Sequence, residues 1–204
     1  MAQNVYSLNV VGYVNIQLTE GFNMIANPLD LDGYGTNNTV TTVLSTNLPV
    51  NSKVYTWNIS TLAYDTATFG KTKTWAPDIK LNPGQGAWLS IPAGLFGGLT
   101  QNVTTVGTVL QGNLANPNIP AAGGFTLIGS QIPIKGGLTT TLGYTPSQVN
   151  EKVYAWPLGA TAFSSYTWSK TKTWSPSEPE IDVGQGFWLS TLGGSVWTTN
   201  FTVP

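Results

Sequence analysis

The chain has 204 residues, of which 41% are hydrophobic and only 8% charged, for a net charge of −1. That apolar share supports packed cores and excludes a disordered chain, while the charged share falls far below the roughly 25% of an ordinary soluble domain. All basic residues are lysines, so no guanidinium fork is available for phosphate or guanine. Eight of them against nine acids leave no basic field, which excludes nucleic acid as a partner.

In chain order, residues 4–18 predict a long strand. Tyr6, Leu8, Val10, Val14, Ile16 and Leu18 are apolar at even positions, and Gly12 allows a bulge. A second strand, Phe22–Ala26, closes at Asn27-Pro28. After a glycine-bearing loop, Asn38 or Thr39 caps a helical turn that faces Val40, Val43 and Leu44 inward. Strands follow at Lys53–Trp57, Ala63–Phe69, Lys71–Trp75 and Gly86–Ile91. Asn82-Pro83-Gly84 has the proline and glycine of a type II turn.

Much of this returns later in the chain. Lys53-Val54-Tyr55-Thr56-Trp57 reappears as Lys152-Val153-Tyr154-Ala155-Trp156, and Lys71 to Trp75 reappears unchanged at Lys170 to Trp174. Gly84-Gln85-Gly86-Ala87-Trp88-Leu89-Ser90 reappears at Gly184 to Ser190, with Phe187 for Ala87. Offsets of 99, 99 and 100 residues imply duplication of one unit. The expected domains are 1–105 and 106–204, sharing a continuous linking strand at about 99–111. Within that strand Gln101-Asn102-Val103-Thr104 matches Thr199-Asn200-Phe201-Thr202, and Val106-Gly107-Thr108-Val109 matches Val11-Gly12-Tyr13-Val14. Short strands with one helical turn per unit, the second around Leu138–Leu142, predict an all-β fold of two tandem β-sandwich or small-barrel units.

The chain contains no histidine and no cysteine. The usual general base, thiol nucleophile, disulfides and Cys-ligated zinc are therefore missing, and no enzyme activity or cofactor is expected. Glu178, Glu180 and Asp182 sit beside prolines and read as a solvated loop. Asp30, Asp32 and Asn37 set oxygen ligands in a glycine-bearing loop, a weak calcium candidate beside the simpler reading of an Asp/Gly turn. No run of about eighteen apolar residues predicts a membrane span. A surface made polar by Thr, Asn, Ser and Gln suits bacterial export to the cell surface. Met1-Ala2-Gln3 reads as a start placed ahead of a processed N-terminus, its leader removed.

The repeated face carries one functional candidate. Lys53, Tyr55 and Trp57 share one side of a strand, as do Lys71, Lys73 and Trp75. Tyr55, Trp57 and Trp75, with Tyr154, Trp156 and Trp174, would stack on sugar rings as a carbohydrate-binding module. The rival is structural: lysine stems covering half-buried aromatics, with cation–π contacts of about 0.5–1 kcal/mol. The terminal strands carry the other candidate. An apolar strand with unpaired backbone groups does not stay exposed. Either it folds back beside the C-terminal strand and closes a monomeric domain of a larger surface protein, or it enters a neighbouring chain. In the latter case Tyr6, Leu8, Val10, Val14 and Ile16 are donor-strand positions, and Trp197, Phe201 and Val203 line the acceptor edge. The expected product is a head-to-tail homopolymer, an extracellular filament or surface layer.

Val5-Tyr6-Ser7-Leu8-Asn9-Val10-Val11-Gly12-Tyr13-Val14, then Gly21-Phe22, Ile25-Ala26-Asn27-Pro28, Val54-Tyr55-Thr56-Trp57 and Leu81-Asn82-Pro83-Gly84-Gln85-Gly86 resemble a known pattern. It is that of a family of secreted tandem β-repeat proteins from bacteria of the verrucomicrobial and planctomycete type. The resemblance implies export behind a cleaved leader and assigns no activity.

Overall fold

A period of two in the apolar residues sets most of the strands. The structure, a computed structural model, describes residues 10–44 and 47–203. In β1 (Val11–Leu18) the even residues Val14, Ile16 and Leu18 are buried, while Val11 and Tyr13 face outward. β2 (Gly21–Ala26) leads to a loop and then α1 (Val40–Val43). That single turn starts where the Thr39 N–H donates to Thr42 Oγ1 at 2.9 Å, and it buries Val40 and Val43, with Leu44 just beyond. β3 (Lys53–Asn58), β4 (Ala63–Phe69), β5 (Trp75–Ala76), β6 (Gly86–Ile91) and β7 (Gln101–Thr108) complete the first half.

The second half contains β8 (Gly112–Ala115), β9 (Gly124–Gly129), β10 (Gly136–Gly137), β11 (Tyr144–Thr145) and β12 (Lys152–Ala155). It continues with β13 (Ser164–Trp168), β14 (Trp174–Ser175), β15 (Glu180–Ile181), β16 (Gly186–Thr191) and β17 (Val196–Phe201). One five-stranded sheet runs β2-β6-β3-β4-β5 and another β9-β16-β12-β13-β14. Smaller sheets join β1 to β7, β10 to β15, and β11, β17 and β8 in that order. The pairings between these strands are antiparallel, so the fold is all-β and sandwich-like. Two apolar cores form, one under each five-stranded sheet, and Phe201 packs against both.

Four local expectations change. The linking strand is shorter than 99–111: β7 runs unbroken over Gln101–Thr108 and pairs with β1, and after a short break β8 pairs with β17. Lys71 to Thr74 form the turn between β4 and β5 rather than a strand, with Lys73 at φ 60 and Lys172 likewise. Around Leu138–Leu142 there is a hydrogen-bonded turn but no helix, closed by the Leu142 N–H on the Gly137 carbonyl at 3.0 Å. Glu178 is not simply solvated: its Oε1 accepts the N–H groups of Thr139 and Thr140 at 2.6 and 2.8 Å.

The Gly-Gln-Gly motifs join the two halves. Each follows a turn of the expected kind: the Gln85 N–H reaches the Asn82 carbonyl at 2.9 Å with Gly84 at φ 79, and Gln185 reaches Asp182 at 3.1 Å with Gly184 at φ 74. The glutamine side chains lock these turns, Gln85 Oε1 accepting the Asn82 N–H and Gln185 Oε1 accepting the Asp182 N–H. Beyond each turn the halves exchange backbone bonds: Ala26 N–H to Gly184, and Gly129 N–H to Gly84. A Cβ on Gly86 would lie 2.9 Å from the Ile128 backbone, and one on Gly186 would strike the Ile25 carbonyl, so only glycine allows this approach. Asn116, buried between them, donates Nδ2 to the carbonyls of both Gly84 and Gly129 at 3.2 Å.

Candidate functional site: an aromatic cleft between the halves

Strand alternation places one set of aromatic rings on the face opposite the core. In β6, Ala87 and Leu89 point into the core, so Trp88 must point away, and it stands directly across from Tyr55 of β3. β2 adds Phe22 and β4 adds Tyr64. The second half repeats the arrangement with Trp188, Tyr154, Phe125 and Phe163.

The two sets interlock. Trp57 packs edge-on against Trp188 at 5.3 Å between ring centroids, and Trp156 packs edge-on against Trp88 at 5.4 Å. Trp57 also meets Tyr64 at 5.2 Å, and Trp156 meets Phe163 at 5.0 Å. Edge-to-face pairs of this kind contribute about 0.5–1.5 kcal/mol each beyond area burial. Trp57 and Trp156 thus wedge the halves together. The contacts differ in one respect: Trp57 Nε1 donates to the Phe125 carbonyl at 3.1 Å, whereas the buried Nε1 of Trp156 has no acceptor among the described residues.

Not every ring is consumed by this packing. Phe22, Tyr55, Tyr64, Trp88, Trp156 and Phe163 line an open cleft of about 460 Å³. Phe22 is 52% exposed, and Tyr64 and Phe163 are 43% exposed each. Burial pushes the Tyr64 hydroxyl above its ordinary pKa, with a hydrogen bond from Trp88 working the other way. Such a cleft takes the flat apolar face of a ring and leaves polar substituents toward water.

The other candidates fall elsewhere. Trp75 is buried against Phe69 and Trp174 against Trp168, both inside the cores and away from the cleft. Of the lysines beside them, Lys73 lies over the Phe69 ring, its Nζ 5.6 Å from the centroid. Tyr55, Trp57, Tyr154 and Trp156 come together on the aromatic face. Phe22, Tyr64, Trp88, Phe163 and their partners escaped the sequence reading. Trp88 was discoverable, since its parity in the Gly86–Ile91 strand opposes that of Ala87 and Leu89.

Among the terminal positions, Tyr6 and Leu8 lie outside the described residues. Val14 and Ile16 are buried in the first core, and Val10 packs at its margin. β1 closes on β7 of the same chain rather than on the C-terminal strand. β17 lies between β11 and β8, with Trp197 buried and Phe201 and Val203 partly buried.

In the Asp30–Asn37 loop, N–H groups occupy the carboxylates. Asp30 Oδ1 accepts from Asp32 and Gly33, and Asp32 accepts from Tyr34, Gly35 and Asn37. The Asp30 carboxyl, followed by these backbone groups, holds Asp32 down to about 2. Among the described residues no cluster of three or more acidic side chains is placed to hold a metal ion.

Fold and site together define an all-β, sandwich-like protein with an aromatic cleft at the junction of its halves. Comparison with family models, curated proteins and solved structures finds no match for the chain.

Proposed function

We propose that this protein is an exported, non-catalytic module that binds carbohydrate by ring stacking in the aromatic cleft. One observation carries the reading: rings from both halves converge on one open cleft instead of vanishing into a core. Sugar rings expose axial C–H groups that suit the electron-rich aromatic faces, and their hydroxyls stay hydrated above. Phe22, Tyr55, Trp88 and Phe163 act as the platform, while Trp57 and Trp156 position it. The charge-poor surface supports a setting outside the cell.

Calorimetric titration with cello-, xylo- and chito-oligosaccharides tests this, comparing the natural chain with Trp88→Ala and Phe163→Ala. The reading expects binding that weakens about tenfold in each variant, the worth of one lost ring contact. Absence of binding to every sugar, or unchanged affinity in both variants, overturns it.

A separate observation supports head-to-tail self-assembly as a second reading. One end of the outer face of the β1–β7 ribbon is apolar and open: Val11 is 67% exposed, and Tyr13, directly opposite Val106, and Val106 itself are 74% and 56% exposed. Sedimentation and negative-stain microscopy of the chain and of a Tyr13→Lys/Val106→Lys double variant test it. Monodisperse monomers from the natural chain at high concentration would remove this reading.

A further inference from the structure

Trp156 has a second side. A larger opening of about 490 Å³ lies between β1 and β2 of the first half and the 155–158 and 180–185 segments of the second, and Trp156 lines it as well as the aromatic cleft. Its chemistry is unlike that of the first. Trp156 and Tyr166 supply ring surface, Gln17 and Gln185 supply amides, and Glu180 and Asp182 supply carboxylates. Lys135 is already committed, its Nζ 2.7 Å from Asp182, which leaves the Glu180 carboxylate as uncompensated negative charge.

We propose that this opening is a polar subsite for a neutral sugar chain, continuing the aromatic cleft across the Trp156 indole. The inference rests on the carbohydrate reading and adds chain length and charge to it. Amides and carboxylates are the groups that pair with neighbouring hydroxyls, since amides both donate and accept and carboxylates accept two bonds at once. Aromatic clefts alone hold a ring without reading its hydroxyls. The polar opening supplies that reading for the rings that follow. The Trp156 ring lines both openings and so links the two along one path. Net negative charge at Glu180 disfavours uronic-acid polymers and favours neutral glucans, xylans or chitin-type chains.

The test is a length series from disaccharide to hexasaccharide, in the neutral gluco, xylo and chito forms and as oligogalacturonate. It compares the natural chain with a Gln17→Ala/Glu180→Gln variant. Both side chains are exposed, so the variant keeps the fold. Affinity of the natural chain is expected to rise about tenfold with length, the weight of one or two hydrogen bonds involving a charged group, and the variant loses that rise while binding the disaccharide unchanged. Equal affinity for short and long sugars, a rise that survives in the variant, or preference for oligogalacturonate overturns the subsite and leaves the aromatic cleft standing. Failure of every sugar to bind overturns both.

Discussion

Ala26 donates its backbone N–H to the carbonyl of Gly184 at 2.7 Å, joining the first half of the chain to the second. The Gly129 N–H answers it on Gly84 at 3.1 Å, so each half finishes a strand of the other. This exchange holds the two aromatic sets at the spacing that makes a cleft. Weakening the exchange therefore tests both fold and site.

Gly86→Ala and Gly186→Ala push a Cβ into the opposite backbone, at positions where φ itself poses no obstacle. Overpacking of this kind costs about 1–3 kcal/mol. Gly70→Ala meets only ordinary contacts and serves as the control. Urea titration should show a lower midpoint for the first two and none for the third.

Asn116→Ala leaves the carbonyls of Gly84 and Gly129 without their shared donor in a buried site. The Gly84 carbonyl keeps the Gly129 N–H, so the loss is that of an ordinary hydrogen bond, about 0.5–1.5 kcal/mol. Thermal unfolding of the variant measures it, and an unchanged midpoint would show that the amide does not clamp the junction.

Glu151, buried in the second half, accepts Tyr144 Oη at 2.6 Å and Ser195 Oγ at 2.6 Å, together with the Ser147 and Gln148 N–H groups. Burial first, then the hydrogen bond and charge of Glu151, push the Tyr144 hydroxyl far above its ordinary value. A raised pKa gives stability that is complete below the unfolded value, about 10, and is lost as pH climbs past it. Tyr144→Phe should cost about 1.5–3 kcal/mol at neutral pH and flatten the alkaline decline. Urea titrations at neutral and alkaline pH follow both effects.

Asp32 is held down to about 2 by the Asp30 carboxyl and by backbone N–H groups. A lowered pKa gives order that is present above the ordinary aspartate range and lost as pH falls toward 2. Carboxyl NMR should place its midpoint there, and adding calcium should leave the 30–38 resonances in place because N–H donors fill the oxygens.

The sequence displayed its strands better than their partners. Alternation at Tyr55 and Trp57 was readable because a half-buried strand writes period two into the chain. The same pattern misled at Lys71 to Thr74, where the turn before Trp75 imitates a strand; nothing local distinguishes them until Lys73 adopts a positive φ. Gly-Gln-Gly showed itself as a turn, but its contact with Ile128 and Ile25 is tertiary and leaves no spacing to read. Trp156 looked like one ring of a repeated strip, and only the packing of the halves gave it an opening on either side.

The most direct test follows the eight indole N–H resonances by NMR as a neutral hexasaccharide is added. Trp88 and Trp156 should shift together with increasing sugar, while the core indoles of Trp75, Trp168 and Trp174 stay fixed. Shifts confined to the core indoles, or no shift at saturating sugar, would contradict carbohydrate binding in the aromatic cleft.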